Sequence, residues 1–328
     1  MAFEEIIGQE RIKDLLKNSL LKENFSHAYL FEGISGLGKK KLALEVAKGI
    51  ICTSEGIKPC NHCQCCRRID QGNHSEVFLI EEEGTIKIEK VRELQKEIQM
   101  KPYEGKKKVF IINHSENMTI QAQNALLKTL EEPPPYATLI LLTHNSNSLL
   151  PTIISRCQIF KLRPVETIKI QEALVKQKGI SLEESKVIAS FANGVFGKAV
   201  RMLEDEDFRR RREGILQLTE ELLQSKSISL LEKVDFFVEE KNYIDEILDI
   251  LTSWYRDLII FKETQELHFV MNYDKIEIIK EQSNRIGLKK LTNIISIIDK
   301  AKGNIRSNVN YQLNIEMMLL NIQEVLLW

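Results

Sequence analysis

Residues 33–40 read Gly33-Ile34-Ser35-Gly36-Leu37-Gly38-Lys39-Lys40, which is the spacing of a phosphate-binding loop except at the last position. In such a loop the glycines let backbone N–H groups surround phosphate oxygens, and Lys39 can pair with the β- and γ-phosphates. The last position normally carries a hydroxyl that binds Mg²⁺, whereas Lys40 brings a positive charge. The loop therefore predicts a degenerate nucleotide site that lacks a ligand for Mg²⁺. Its phosphate contacts are kept at Gly33, Gly36, Gly38, Lys39 and Lys40.

Strand-like and helix-like segments alternate around this loop. A strand is predicted at 26–31, and apolar residues recur at helical spacing over 42–51. Further strands are predicted at 77–80, 109–112, 138–142 and 159–161, and a helix over 119–132 is stopped by three prolines. This alternation over residues 1–165 predicts an α/β domain with a parallel sheet covered on both faces. For the loop at 33–40 itself, the alternative is a glycine-rich turn that binds no ligand.

The predicted strand at 109–112 is followed by polar residues that differ from those of a hydrolysing enzyme. In a phosphate-loop ATPase this strand ends in Asp-Glu, which help to hold Mg²⁺ and to activate water. Here Asn113 carries no negative charge, His114 is a poor substitute for a carboxylate base, and Glu116 lies further along the turn. Because the changes at Lys40 and Asn113 damage the same reaction, we expect a site that does not hydrolyse ATP. Whether ATP or ADP still occupies the loop is left open.

A cysteine cluster follows the phosphate loop and its helix. Cys60, Cys63 and Cys66 are spaced three residues apart, and Cys52 precedes them. Tight turns of this spacing bring thiolates to about 2.3 Å from a tetrahedral Zn²⁺, and four thiolates leave no open position. We therefore predict a structural zinc module at about 52–66, held by Cys52, Cys60, Cys63 and Cys66. The role of Cys65 is left open, and His62 and His74 are the weaker alternative ligands.

Composition limits the classes of function. The chain has 328 residues with 46 basic and 47 acidic side chains, a formal net charge of −1. A protein that binds DNA by itself usually has a surplus of Lys and Arg, so a zinc-dependent nucleic-acid-binding module is the less favoured alternative. The first residues are acidic where a signal peptide is basic, and no apolar run is long enough for a membrane span. We expect a cytoplasmic protein with reduced or metal-bound cysteines.

Four segments together resemble the AAA+ clamp-loader ATPases: residues 7–10 (IGQE), 27–33 (HAYLFEG), 124–133 (NALLKTLEEP) and 155–157 (SRC). The resemblance is dense over 1–165 and thinner beyond, where residues 254–258 (WYRDL) and 308–320 are similar to the family's collar domain. It implies an AAA+ phosphate-loop domain at 1–165 with the inserted zinc module. A small helical lid at 166–207 and a helical collar at 208–328, which closes a ring of subunits, are implied to follow.

The resemblance also implies roles for single residues. In that family an arginine at the position of Arg156 reaches the γ-phosphate of ATP bound by a neighbouring subunit, which suits a planar, permanently charged guanidinium. The alternative is a surface arginine at a strand entry. His144 lies where the family has a polar sensor residue, and we assign it no role. Lys198 is a weak candidate for a second phosphate contact.

Two readings follow for the whole chain. The first is a non-hydrolysing subunit of the clamp loader of a replicative DNA polymerase, without ATPase activity of its own. It works in a hetero-pentamer with gamma/tau-type and delta-type subunits and meets the sliding clamp and primed DNA through that complex. The second is an ATP-hydrolysing motor subunit of the gamma/tau type, which needs the Mg²⁺ ligands that are missing.

The acidic run 204–207 and the basic run 209–212 are expected to form a solvated hinge rather than a DNA-binding patch.

Overall fold

The computed structural model describes residues 3–82, 84–224, 229–307 and 309–327, so Asn308 of the collar-like segment lies outside the described residues. The chain forms two compact units. One comprises Met1–Ile170 and Gly194–Lys198, and the other comprises Gln171–Asn193 and Ala199–Trp328. The three-part division at about 165 and 207 is not tested by this grouping and stays a prediction.

The first unit contains a five-stranded parallel sheet with strand order β2-β3-β4-β1-β5. The strands are β1 (Ala28–Glu32), β2 (Val77–Ile80), β3 (Lys108–Ile112), β4 (Ala137–Thr143) and β5 (Gln158–Lys161). All residues of β3 are buried, as are all residues of β4 after the first. Parallel strands covered on both faces have this continuous burial. The predicted α/β domain with a parallel sheet is therefore confirmed.

Helices cover both faces of this sheet. They are α1 (Glu10–Leu21), α2 (Lys39–Ile51), α4 (Ile88–Gln99), α5 (Ile120–Glu131) and α6 (Pro151–Ile154), whereas α3 (Gln64–Asp70) contacts α2. Successive residues of a strand point to opposite faces, so Phe31 packs with Leu42 of α2 while Leu30 packs with Leu126 of α5. The carboxyl ends of β1, β3 and β4 lie at the same sheet edge, and the phosphate loop follows β1 there.

The described part of the second unit is helical. Helices α7 (Thr167–Lys178) and α9 (Phe196–Glu204) each contain a boundary between the units, and the others are α8 (Leu182–Phe191), α10 (Glu206–Gln224), α11 (Ser229–Glu239), α12 (Ile244–Thr264), α13 (Ile276–Arg285), α14 (Leu288–Arg306) and α15 (Tyr311–Leu327). Trp254 of α12 is fully buried and donates its indole N–H to Gln282 Oε1 at 2.9 Å. Among the helices described, none has the length and apolar character that a membrane crossing requires.

The basic run at 209–212 differs from its prediction. Arg209 and Arg210 are exposed, but Arg211 has no exposed surface and Arg212 only 7%. Arg211 forms ion pairs with Asp205, Glu240 and Glu246, and Arg212 donates two hydrogen bonds to Asp274, at 2.8 and 2.7 Å. The expectation of a solvated hinge is therefore wrong for half of the run. Sequence spacing did not reveal the acidic partners that permit burial of these guanidinium groups.

Candidate functional site

The phosphate loop has the backbone conformation that its glycines permit. Gly36 and Gly38 have φ angles of 85° and 87°, which residues with a Cβ atom rarely adopt, and Gly38 is the N-cap of α2. The N–H groups of the first turn of α2 therefore face the loop, where a helix N-terminus favours an anion. Lys39 donates from Nζ to the carbonyls of Gly33 and, at 3.1 Å, Ile34. Burial lowers the pKa of Lys39 to about 8.

A distant segment of the chain closes against this loop. The N–H of Gly197 donates to the carbonyl of Gly36 at 2.9 Å, and a Cβ atom on Gly197 would lie 2.7 Å from the Gly36 Cα. Residues 194–198 thus belong to the phosphate-loop unit, and Phe196 and Gly197 line its cavity. The cavity has a volume of 490 Å³ and also includes Lys39, Lys40 and His144.

Lys40 is held in a short polar chain at the sheet edge. Its Nζ donates to Glu81 Oε2 at 2.6 Å, and Asn113 Nδ2 donates to the other oxygen of the same carboxylate at 2.9 Å. The Lys40 ammonium lowers the pKa of Glu81. The structure thus brings together the two positions at which the sequence departs from a magnesium site. The Lys40 ammonium and the Glu81 carboxylate lie in this part of the site as a half-exposed ion pair.

Sequence reasoning missed Glu81. It follows β2 directly, and β2 is the neighbour of β3, which Asn113 follows. An acidic residue immediately after a strand that pairs with β3 is the signal that could have identified it. Consecutive strands of a parallel sheet are neighbours in only about two-thirds of cases, so the sequence alone does not establish that β2 lies beside β3.

Two histidines and a glutamate form a second group in the same cavity region. His114 Nδ1 lies 3.3 Å and His144 Nδ1 lies 3.0 Å from Glu116 Oε1. The two imidazole rings are 5.1 Å apart and nearly perpendicular. Burial, together with the positive charge of Lys39, lowers the pKa of His144. The sequence left His144 without a role and did not predict that these three side chains would meet.

The four predicted zinc ligands converge. The Sγ atoms of Cys52 and Cys63 are 3.9 Å apart, and those of Cys60 and Cys66 are 4.0 Å apart. The edge of a tetrahedron with zinc–sulfur bonds of about 2.3 Å is about 3.8 Å, so this donor set fits a Zn²⁺ ion. Backbone N–H groups of Cys63 and Cys66 donate to the sulfurs of Cys60 and Cys63 at 3.3 and 3.4 Å. Such bonds stabilise thiolates.

The alternative ligands lie outside this cluster. Within the described chain, neither Cys65, His62 nor His74 contributes a donor atom to the four-cysteine group. His74 is buried rather than exposed, and its Nδ1 accepts the backbone N–H of Glu76 at 3.1 Å. Burial raises the pKa of Cys63, but hydrogen bonds from Cys66 lower it by more, to about 6. The lowered pKa favours the thiolate form that binds metal.

Arg156 lies on the surface between α6 and β5, outside the nucleotide cavity of its own chain. Its Nη2 donates to Glu131 Oε1 at 2.8 Å, and its Nη1 donates to the carbonyl of Thr152 at 3.0 Å. The Arg156 side chain is 35% exposed to solvent. Sequence reasoning missed Glu131 as a partner, although it belongs to the 124–133 segment on which the family resemblance rests.

Known proteins match most of the chain. A family model described as DNA polymerase III, delta subunit, matches residues 8–166, and one described as its C-terminal part matches residues 206–324. The DNA polymerase III subunit delta' of Bacillus subtilis (strain 168) is 35% identical over 320 residues, which cover 96% of each chain.

The chain also resembles a tau subunit and a solved gamma-related protein. The DNA polymerase III subunit tau of Bacillus subtilis (strain 168) is 30% identical over 91% of this chain, but the chain spans only 57% of its length. A solved DNA polymerase III gamma-subunit-related protein from Thermotoga maritima has a TM-score of 0.49 and 20% identity, covering 95% of this chain and 99% of its own. The assignment rests on the match to delta', which covers 96% of both chains at 35% identity. The chain therefore belongs to the clamp-loader family and, within it, to the DNA polymerase III delta-prime subunits.

Proposed function

We propose that this chain is the non-hydrolysing subunit of a clamp loader in the replicative DNA polymerase III holoenzyme. Its phosphate loop binds phosphate but lacks the ligands for Mg²⁺. Its Arg156 contacts the ATP that a neighbouring subunit binds. The chain thereby helps to load the sliding clamp on primed DNA without turning over ATP itself.

The contact of Lys40 with Glu81 is the observation that carries this proposal. A hydrolytic site needs a hydroxyl oxygen and a carboxylate beside the phosphates, because these oxygens position Mg²⁺. At the corresponding positions, Lys40 and Asn113 are both donors to Glu81, at 2.6 and 2.9 Å. The Lys40 ammonium neutralises the nearby carboxylate and repels a second cation. Both positions therefore place N–H donors where Mg²⁺ needs oxygen ligands, which supports a site without the metal.

The surroundings of Arg156 support its role in a neighbour's site. Its ion pair with Glu131 is half-exposed, and such pairs contribute only about 0–1 kcal/mol. A triphosphate presented by an adjacent subunit carries more negative charge than one carboxylate, and it can therefore draw the guanidinium away. Until then, the hydrogen bond to Glu131 Oε1 holds the Arg156 guanidinium at the surface of this chain.

The four-cysteine cluster supports a structural zinc ion. Cys52, Cys60, Cys63 and Cys66 would each supply one thiolate, which completes the coordination and leaves no position for a substrate. The ion would join the end of α2 to the start of α3, because Cys52 is the C-cap of α2 and Cys63 the N-cap of α3.

The partners follow from the family and from the charge of the chain. Gamma/tau-type and delta-type subunits would complete a hetero-pentamer, in which one neighbour supplies the ATP that Arg156 contacts. The net charge of −1 favours contact with the sliding clamp and primed DNA through the complex rather than by this chain alone.

The test is ATP turnover by the assembled clamp loader. We expect Arg156→Ala to lower turnover at the adjacent site by about 10³-fold or more, the range for loss of an arginine finger. Arg163→Ala is the matched control, because Arg163 is exposed and lies close by in the sequence. Equal turnover by the Arg156→Ala and Arg163→Ala assemblies would contradict the proposal.

The similarity to tau favours one second candidate, an ATP-hydrolysing motor subunit. The purified chain with Mg²⁺ and ATP separates the two. Negligible hydrolysis is expected from a non-hydrolysing subunit, whereas steady hydrolysis that Lys39→Ala abolishes would establish the motor.

A further inference from the structure

His114, Glu116 and His144 form a compact donor set in the first unit. His114 and Glu116 lie in the turn after β3, and His144 follows β4. Strands β3 and β4 are parallel neighbours, with Ile112 opposite Leu141, so residues after them emerge at one sheet edge. His114 has a φ of 51°, in the left-handed region that non-glycine residues seldom occupy.

The distances within this set match those between ligands of one metal ion. Ligand atoms at about 2.0–2.1 Å from a metal are about 3.0 Å apart in octahedral geometry and about 3.4 Å apart in tetrahedral geometry. The two histidine Nδ1 atoms lie 3.3 and 3.0 Å from Glu116 Oε1, and one ligand atom from each of the three residues lies within 4.8 Å of the other two. One ion can therefore contact all three.

The carboxylate is held in place for this contact. Its second oxygen, Oε2, accepts the backbone N–H of His144 at 3.3 Å, which leaves Oε1 directed at both rings. The backbone N–H of His114 donates to Asn113 Oδ1 at 3.1 Å, which restrains the main chain of this residue. Hydrogen bonds that orient a ligand from behind typically accompany metal sites.

We infer that His114, Glu116 and His144 bind a divalent transition-metal ion such as Zn²⁺ or Co²⁺, separately from the four-cysteine cluster. Two imidazoles and one carboxylate suit these ions, whereas Mg²⁺ prefers oxygen ligands only. Binding places both rings in the tautomer with the proton on Nε2, so that the Nδ1 lone pairs face the ion. His144 lines the cavity beside Lys39, so the remaining coordination positions are accessible to water or to an anion there.

Calorimetric titration with Co²⁺ tests this site, using the full chain as purified, with all four cysteines of the cluster intact and no nucleotide present. We expect one equivalent of Co²⁺ to bind, and Glu116→Gln and His144→Ala to weaken it by about tenfold or more. His27→Ala is the matched control, because His27 is an exposed histidine of the same unit. The Glu116→Gln and His144→Ala variants both keep the cysteines, so any Co²⁺ that binds to thiolates contributes equally to every titration.

The visible spectrum of the Co²⁺ complex provides a second readout. Ligation by nitrogen and oxygen gives weak bands without the intense thiolate charge-transfer absorption that cysteine ligation adds. Glu116→Gln preserves side-chain volume, and His114→Asn keeps a residue that tolerates the left-handed conformation, so one of these variants reports on the site even if His144→Ala does not fold. Absence of binding in the parent, or equal affinity in Glu116→Gln and His27→Ala, would overturn the inference. Since no ATP is present, either result is independent of the hydrolysis test.

Discussion

Replacing Arg211 should destabilise the second unit far more than replacing Arg209, although both belong to one run of four arginines. Arg211 has no exposed surface, pairs with Asp205, Glu240 and Glu246, and stacks 3.9 Å from the centre of the Tyr243 ring. Breaking a buried ion pair costs about 3–5 kcal/mol, because the remaining charges lose their partner. The three carboxylates keep between 10% and 28% exposure, which places Arg211→Ala near the lower end, at about 3 kcal/mol.

Arg209→Ala supplies the control, because this side chain is 71% exposed and its pair with Glu184 should contribute about 0–1 kcal/mol. Urea unfolding followed by Trp254 fluorescence reports on the second unit in a Trp328→Phe background, since the chain has two tryptophans. With a slope of about 2 kcal/mol per molar urea, the midpoint should fall by about 1.5 M for Arg211→Ala and by less than about 0.5 M for Arg209→Ala. Equal shifts would refute the view that the buried network stabilises this unit.

Three further outcomes are expected from the first unit. Cys60→Ser should lose the zinc that Cys65→Ser retains, as measured by metal analysis of the purified chains, because only Cys60 belongs to the four-sulfur cluster. Gly36→Ala should lower the free energy of unfolding by about 1–3 kcal/mol more than Gly38→Ala, because both have positive φ but only at Gly36 would a Cβ lie 2.7 Å from a valine methyl. ATP affinity, measured with a fluorescent analogue, should fall about tenfold per pH unit above pH 8, because Lys39 has a pKa of about 8 and only its protonated form attracts phosphate. A flat profile from pH 7 to about 9.5 would contradict that assignment.

Local sequence determined the parts of the molecule that form from nearby residues. The glycines at 33, 36 and 38 predict the loop because only residues without a Cβ adopt its backbone conformation readily. The apolar runs of β3 and β4 predict buried strands, and the cysteine spacing predicts the ligand cluster, because turns of a few residues bring these sulfurs together. In each case the sequence separation is short and the conformation is strongly restricted.

Tertiary structure alone decided the contacts between distant segments. Glu81 meets Lys40 and Asn113 because β2 lies beside β3, and His144 meets Glu116 because β4 lies beside β3 on its other side. The burial of Arg211 depends on acids that lie up to 35 residues away along the chain. Strand order and helix packing are collective results of burying apolar surface, and a polar side chain finds its partners only after that packing has been set.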